Sequence, residues 1–217
     1  MQTLTSTTPE FDFHTWSQSL MARFRPHVVN VTPEQLSLED FLRQVENELS
    51  AGLSASDSDM IACTAGCGSC CRVNVATLSP EAHNIAAYLR LTCSAAELEQ
   101  LRGRMHRMLV VISGLDDDER IATNQPCVFL DHLGSCSIYP VRPLLCRSVT
   151  STCADTCRAA LSCDMLDESG SGTVVMNLFQ KDLMDTAFNT LAQLWNERGG
   201  DSRSRELTAA VYSMLQH

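Results

Sequence analysis

The chain has 217 residues, of which 44% are hydrophobic, which is enough for one sizeable domain with a buried core. Its 16 basic and 26 acidic residues give a formal net charge of −10, which argues against binding to nucleic acid or to anionic lipid, because both partners favour a basic surface. No stretch approaches the roughly 18 consecutive apolar residues of a membrane span, and no secretory signal pattern is present, so we expect a cytoplasmic protein with reduced cysteines.

The N-terminal part of the chain is predicted to be a helical arm. Apolar residues between positions 11 and 24 are spaced loosely, as in a helix. A second helix is predicted from Thr32, as the N-cap with Pro33 in the first turn, to Gly52. The polar run 54–59 is interpreted as a linker.

Two further helices are predicted between the cysteine-rich segments. One covers about 79–91, with Ser79 as its N-cap. The other covers about 94–112, where Ser94 and Glu97 have the spacing of a capping box. These helices supply apolar faces that can pack under the cysteines.

Shorter elements are predicted on either side of these helices. Residues 72–78 are expected to be extended, and the acidic run 116–119 to form a turn. The apolar runs 128–130 and 137–139 flank a turn sequence, which predicts a small β-hairpin with a cysteine at each outer edge.

The C-terminal part is predicted to be helical again, with a segment from 153 to 163, a Gly/Ser-rich break at 169–172, and amphipathic helices over about 174–196 and 203–216. The predicted fold is mainly α, a single helical domain with an irregular cysteine-rich centre and at most a small hairpin. Its parts are an N-terminal arm (1–58), a metal-binding core (59–165) and C-terminal helices packing on the core (166–217).

The distribution of cysteines needs a chemical explanation. All eleven lie between positions 63 and 163, whereas random use in a core would scatter them along the chain. Thiolates bind zinc and iron–sulfur clusters well. The predicted metal ligands are Cys63, Cys67, Cys70, Cys71, Cys127, Cys136, Cys146, Cys153 and Cys157.

The first block of cysteines has the form of a metal-binding loop. Cys67, Cys70 and Cys71 can point several sulfurs at one centre, and Gly66 and Gly68 allow the backbone to turn tightly around it. Because neighbouring side chains diverge, the adjacent pair suits a cluster, two metals, or one ligand beside one packing thiol. Metal ligation and simple burial are equally open for Cys153 and Cys157, whereas Cys93 and Cys163 are not expected to be ligands.

Other side chains near the second block are candidates for supporting roles. Arg142 and Arg147 could offset the charge of a thiolate-rich centre or pair with surface carboxylates. Tyr139 is expected to pack over the site. His132 lies in the turn between two cysteines and shows no zinc-ligand spacing.

The two blocks together resemble the CxxCxxCC family, also called YkgJ-like. The resemblance rests on Cys67, Cys70 and Cys71 after Cys63, and on the second-block sequences CVFL, CSIY, RP and CR between positions 127 and 147. It covers about residues 60–150. One departure is visible, because three residues instead of two separate Cys63 from Cys67.

This resemblance implies zinc or iron chelation, and one branch of the family is associated with lysine methylation of flagellin. The thiols exceed four and two are adjacent, which favours an iron–sulfur cluster, for example 4Fe–4S, over zinc. The alternatives are an enzyme built on that centre, such as a protein-lysine methyltransferase or redox catalyst, a metal-delivery or sensing protein, and a disulfide-bonded protein. The acidic surface could dock a protein partner, and the terminal helices could form a homodimer.

A different iron–sulfur motif is also present in outline. Cys63, Cys67 and Cys70 spell CxxxCxxC, the cluster loop of radical S-adenosylmethionine enzymes. Those enzymes need a large βα barrel, and the sequence lacks the alternating strands and helices that build one. We therefore expect these cysteines to serve a smaller helical protein.

Overall fold

The structure, a computed structural model, describes residues 12–28, 38–161 and 173–216. The fold is mainly α, as predicted. Its helices are α1 (Phe13–Phe24), α2 (Glu39–Gly52), α3 (Ala55–Met60), α4 (Ser79–Thr92), α5 (Ala95–Ile112), α6 (Asp117–Ala122), α7 (Leu144–Ser148), α8 (Ala154–Ala160), α9 (Leu178–Asn196) and α10 (Leu207–Leu215). Short 3-10 helices occur at Arg25–His27 and Tyr139–Val141, and the strands β1 (Ala76–Thr77) and β2 (Arg205–Glu206) pair antiparallel.

One hydrophobic cluster joins the two ends of the chain. Helices α1 and α2 pack on α9, and their buried residues include Phe24 and Phe41, whose rings meet edge to face with centroids 5.6 Å apart. Leu183 and Leu191 of α9 are fully buried in the same cluster. The arm is therefore fixed to the C-terminal part by burial of apolar surface.

A second hydrophobic cluster lies under the cysteine-rich segments. Helix α10 packs on both α4 and α5, and Ile85, Met105 and Val211 are buried between them. Phe129 and Ile138, from the second cysteine block, are buried in the same cluster. The neighbouring Cys127 and Cys136 therefore pack against the same helices.

Helix starts follow the capping signals in the sequence, with small shifts. The capping box of α5 is confirmed, because Glu97 N donates to Ser94 Oγ at 3.3 Å and Ser94 N donates to Glu97 Oε2 at 2.7 Å. Helix α4 begins at Ser79, so Ser79 lies inside the helix and Leu78, instead of the predicted Ser79, is the N-cap. Helix α9 begins at Leu178, where the Asn177 side chain caps it.

Two polar segments that were predicted to be irregular are short helices in the structure. The predicted linker 54–59 is wrong, because Ser54 accepts from the Asp57 backbone and starts helix α3. The predicted acidic turn is also wrong, because Asp116 and Glu119 form a capping box and start helix α6. Both are short polar helices, in which capping outweighs the lack of an apolar face.

The predicted hairpin in the second block is reduced to a single antiparallel bridge between Leu130 and Cys136. Tyr139 begins a 3-10 helix instead of ending a strand. The reason lies in Pro140, which fixes φ and lacks the N–H that a longer ladder would require. The two-stranded sheet comes instead from β1 and β2, which are remote in sequence.

Several sequence predictions fall outside the described residues, among them those on Phe11, on the Thr32–Pro33 helix start and on Cys163. The second helix of the arm is described from Glu39, with Leu38 at its N-cap. Within the described ranges, no helix is long and apolar enough to cross a membrane.

Candidate metal centre

Eight of the nine predicted ligand cysteines line one cavity of about 570 Å³. Its walls come from the first cysteine block, from the second block and from α8. The eight are Cys63, Cys67, Cys70, Cys71, Cys127, Cys136, Cys146 and Cys157. None of the described cysteines is in a disulfide. The structure thus places on one cavity wall cysteines that lie up to 94 positions apart in the chain (63 to 157).

Cys153 and Cys93 do not line this cavity. Cys153 is the N-cap of α8, where its carbonyl oxygen accepts a hydrogen bond from Thr156 Oγ1 at 2.8 Å. Cys157, one turn later, is buried and faces the cavity. Cys93 packs against the hydrophobic cluster of α4, α5 and α10 as a small apolar side chain.

The first block is a series of tight turns. Cys67 N donates to the Thr64 carbonyl at 3.0 Å, and Cys71 N donates to the Gly68 carbonyl at 3.1 Å. Gly66 has φ of +90°, a conformation that glycine adopts without steric cost. These turns hold the three cysteines of the 67–71 loop along one wall of the cavity.

Backbone contacts lock the two blocks together. Cys127 N donates to the Cys71 carbonyl at 2.7 Å. The turn 131–135 of the second block is closed by Asp131, whose Oδ1 accepts from Leu133 N and Ser135 N at 2.8 Å each. Gly134 in this turn has φ of +76°, and a Cβ there would lie 3.0 Å from the Gly66 carbonyl oxygen.

Replacing Gly134 with alanine should therefore lower the free energy of unfolding by about 2 kcal/mol, since a left-handed conformation and a close carbonyl both oppose a side chain. Urea unfolding followed by circular dichroism measures this change. The matched control is Gly103→Ala in the middle of α5, where the nearest atom to a new Cβ is the flexible end of Arg107 at 3.5 Å. That control should be neutral or stabilise by up to about 1 kcal/mol. Equal effects of the two substitutions would contradict the assigned contact.

A third contact brings Cys63 to the segment that precedes α8. Ala62 N donates to the Ser151 carbonyl at 2.8 Å, and Ser151 N donates to Cys63 Sγ at 3.2 Å. Ser151 is buried and its hydroxyl also donates to the Cys153 carbonyl. Through Ser151, the start of the first block is fixed beside the helix that carries Cys157.

Burial dominates the electrostatics of the thiols. It raises the pKa of Cys127 to about 12 and also raises the pKa of Cys146. The pKa of Cys71 is raised by its hydrogen bond to Cys70, and the pKa of Cys70 is lowered by the same bond and by Arg142. Deprotonating all of these thiols together requires a positive charge among them, which a bound metal supplies.

Arg142 and Tyr139 both lie at the cavity, and the arginine Cζ stands 4.3 Å from the centre of the tyrosine ring. Burial raises the pKa of Cys136 and Cys146, and the Arg142 guanidinium offsets part of that increase. Tyr139 is 44% exposed and lines the cavity beside Arg142.

Arg147 has a mainly structural set of contacts. Its guanidinium donates to Glu46 Oε1 at 2.7 Å, to the Arg142 carbonyl at 3.0 Å and to the Pro140 carbonyl at 2.9 Å. The Arg147 carbonyl accepts from Gln180 of α9. This side chain fixes the second block against α2 and α9.

Arg120 also lines the cavity, although the sequence did not indicate it. It is buried, donates to the Gln125 carbonyl at 2.8 Å, and has an Nε without a hydrogen-bond partner among the described residues. Its position on a short helix not predicted from the sequence left no signal for it.

Glu81 is a buried carboxylate that caps two helices, a double role that the sequence did not indicate. Its Oε2 accepts from Leu78 N at 2.9 Å at the start of α4. Its Oε1 accepts from Leu144 N at 2.8 Å at the start of α7. Helix α7 carries Cys146, so this one side chain positions a cysteine 65 residues further along the chain (81 to 146). The capping-box position of Glu81 is the signal that could have indicated half of this role.

Burial raises the pKa of Glu81 from its ordinary value of 4.5 to about 7. Between these pH values the folded state holds the proton more tightly, so its contribution to stability is complete below pH 4.5 and is lost as the pH rises to about 7. Glu81→Gln cannot titrate. From pH 4.5 to pH 7.5, the free energy of unfolding of the reduced, metal-free wild type should fall by about 3 kcal/mol relative to that of this variant. Urea unfolding at the two pH values measures this change. An equal change in the free energy of unfolding of the two proteins between these pH values would contradict the raised pKa of Glu81.

The donor set suits a metal that prefers sulfur, because thiols outnumber every other ligand type on the cavity wall and no histidine lies there. Across residues 12–28, 38–161 and 173–216, no three His, Cys, Asp or Glu side chains are placed to hold a single metal ion.

Comparison with known proteins also indicates a metal-binding protein. Residues 62–169 match the model of the CxxCxxCC family, described as "Putative zinc- or iron-chelating domain". Through this segment, which spans about half of the sequence and holds all eleven cysteines, the chain belongs to that family of metal-binding proteins. No curated protein and no solved structure matches the chain.

Proposed function

We propose that the protein binds an iron–sulfur cluster through cysteines of both blocks. The observation that carries this proposal is the sulfur-rich wall of one cavity, on which eight cysteines and no described histidine lie, since cysteine thiolates are the usual ligands of iron–sulfur clusters. The adjacent pair Cys70 and Cys71 adds support, because two neighbouring thiols are difficult to fit around one small ion. Bound there, the cluster would supply electron transfer or Lewis acidity.

The proposal requires the thiols to move together on binding, because no three of the described ligand side chains are placed to hold one ion. Two hydrogen bonds that join these segments support the proposal, one from Cys127 N to the Cys71 carbonyl and one from Ser151 N to the Cys63 sulfur. Side-chain rotation of the cysteines is therefore the adjustment that the proposal needs.

Purification without air tests the metal assignment. The protein should be brown, with iron and acid-labile sulfide bound in equal amounts, and with a broad visible absorption that is lost on exposure to air. Zinc, iron and sulfide are measured per chain on the same sample. A colourless protein with stoichiometric zinc and no sulfide would reject the iron–sulfur cluster and leave zinc as the bound metal.

The size of the cavity favours an enzyme as the second candidate. Its wall continues beyond the thiols to Asn74, Gln180 and Arg142, which offer hydrogen bonds to a small molecule beside the metal. A methyltransferase of this kind must bind a methyl donor. Isothermal titration of the metal-loaded protein with S-adenosylmethionine tests this, and an absence of binding would reject the methyltransferase.

A further inference from the structure

Arg120 places a positive charge on the wall of the cavity without an acidic partner. The residue is only 3% exposed. Both hydrogen bonds that its side chain donates within the described ranges come from Nη1, to the Gln125 carbonyl at 2.8 Å and to Thr123 Oγ1 at 3.3 Å. In the same ranges its Nε has no partner, and Arg120 takes part in none of the ion pairs. Because a buried charge without a partner costs free energy, this guanidinium is available to a negatively charged ligand.

Glu206 lines the same cavity, but its carboxylate is engaged by the start of α10. Its Oε2 accepts from Ala209 N at 3.0 Å, and its Oε1 accepts from Thr208 Oγ1 at 3.1 Å. Burial lowers the pKa of Arg120, and the charge of Glu206 offsets this decrease only in part. Glu206 therefore caps a helix instead of forming an ion pair with the guanidinium.

The remaining edge of the Arg120 guanidinium has the shape that recognises a carboxylate. Nε and Nη2 present two parallel N–H groups, which match the two oxygens of a carboxylate. The opposite side of the guanidinium is held by the Gln125 carbonyl, in the loop that leads to Cys127. That loop is fixed in turn by Arg72, whose Nη1 donates to the Asn124 carbonyl at 2.8 Å. These contacts favour one orientation of the guanidinium before a ligand binds.

The part of the cavity wall that accompanies Arg120 combines polar and apolar groups. Asn74 Nδ2 donates to Asp117 Oδ1 at 3.0 Å, which places Asn74 against α6, the helix that carries Arg120. The Val75 carbonyl accepts from Leu207 N at 3.0 Å, and both of these apolar residues line the cavity. Sites for small organic molecules typically combine apolar surface with a few polar groups. This part of the cavity therefore suits an organic acid better than a bare inorganic ion.

We propose that the cavity binds the carboxylate of a small organic acid through Arg120. The two oxygens of the acid accept hydrogen bonds from the Nε and Nη2 edge, and its apolar body lies against Val75 and Leu207. The proposal goes beyond metal binding, because none of these residues is a proposed metal ligand. The acid shares the cavity with the thiols, so it would be bound beside the proposed metal.

Isothermal titration with benzoate tests this proposal, with benzamide as the uncharged counterpart of the same shape. The full-length protein is purified without air, and its metal content is measured on the same sample. Benzoate should bind once per chain, and benzamide at least roughly tenfold more weakly, because it cannot form a charge-assisted pair with Arg120. Arg120→Lys should weaken benzoate binding roughly tenfold, since an ammonium keeps the charge and loses the two parallel donors. The control Arg104→Lys changes an exposed arginine of α5 and should bind benzoate like the wild type.

A second variant separates loss of binding from loss of the fold. Ala76→Leu leaves Arg120 and its loop unchanged and fills part of the cavity, so it should also weaken benzoate binding. Equal affinity for benzoate and benzamide, or unchanged benzoate affinity in Arg120→Lys or Ala76→Leu, would overturn the assigned site. A wild type that holds metal and binds no benzoate would overturn this inference and leave the proposed function intact. Benzoate binding by a wild type that holds no metal would support this inference and reject the proposed function.

Discussion

Removing the metal is expected to lower the free energy of unfolding by several kilocalories per mole. Structural zinc contributes roughly 10 kcal/mol or more in small domains, because binding occurs only in the folded state. Here hydrogen bonds such as those from Cys127 N and Ser151 N join cysteine-bearing segments that are remote in sequence. A metal would add direct bonds between the sulfurs of these segments.

Urea unfolding of the loaded protein and of the reduced, chelator-treated protein measures this difference. The hydrophobic clusters around Phe41 and Met105 contain no metal ligand at their centres, so much of the helical signal should survive metal removal. Cys93→Ser is the control for loss of a thiol outside the cavity. An identical urea midpoint with and without metal would contradict a structural role for the centre.

Replacing Arg147 with alanine is expected to destabilise the fold by about 3 kcal/mol, the second large effect. The side chain is only 9% exposed and donates to the carbonyls of Pro140 and Arg142. Hydrogen bonds from a charged donor contribute roughly 1.5–3 kcal/mol each, and the variant leaves both acceptors without that donor. Because Arg147 directly follows Cys146 and lines the same cavity, the variant should also bind metal more weakly. Thermal and urea unfolding measure the loss.

The control for this prediction is Glu46→Gln. Glu46 is 57% exposed, so its ion pair with Arg147 is screened by solvent and should contribute less than about 1 kcal/mol. The carbonyl contacts of Arg147 remain in that variant. Equal losses in the two variants would show that the ion pair, and not the backbone contacts, holds the second block in place.

Much of the helical framework could be predicted from local signals. Ser94 with Glu97 marked the start of α5, and the apolar spacing that ends at Phe24 marked α1, because caps and periodicity act within one or two turns. The same reasoning failed for α3 and α6, whose residues show no apolar stripe. There the deciding bonds are those of Ser54 and Asp116 to nearby amides.

The candidate site was predictable in composition and less so in arrangement. Spacing within the first block indicated that Cys67, Cys70 and Cys71 act together, and the structure places them on one cavity. Cys153 and Cys157 could not be separated from their spacing, because only the direction of α8 turns one toward the cavity and leaves the other at the helix start. The double cap by Glu81 depends on contact with α7, which no local pattern encodes.

The most direct test of the account is the metal-to-protein ratio of two matched variants, one in each block, purified without air beside wild type and Cys93→Ser. The variants are Cys70→Ser/Cys71→Ser in the first block and Cys127→Ser/Cys146→Ser in the second. Shared ligation predicts that each variant retains half or less of the wild-type metal while Cys93→Ser retains all of it. Full metal content in either block's variant would contradict a centre built by both.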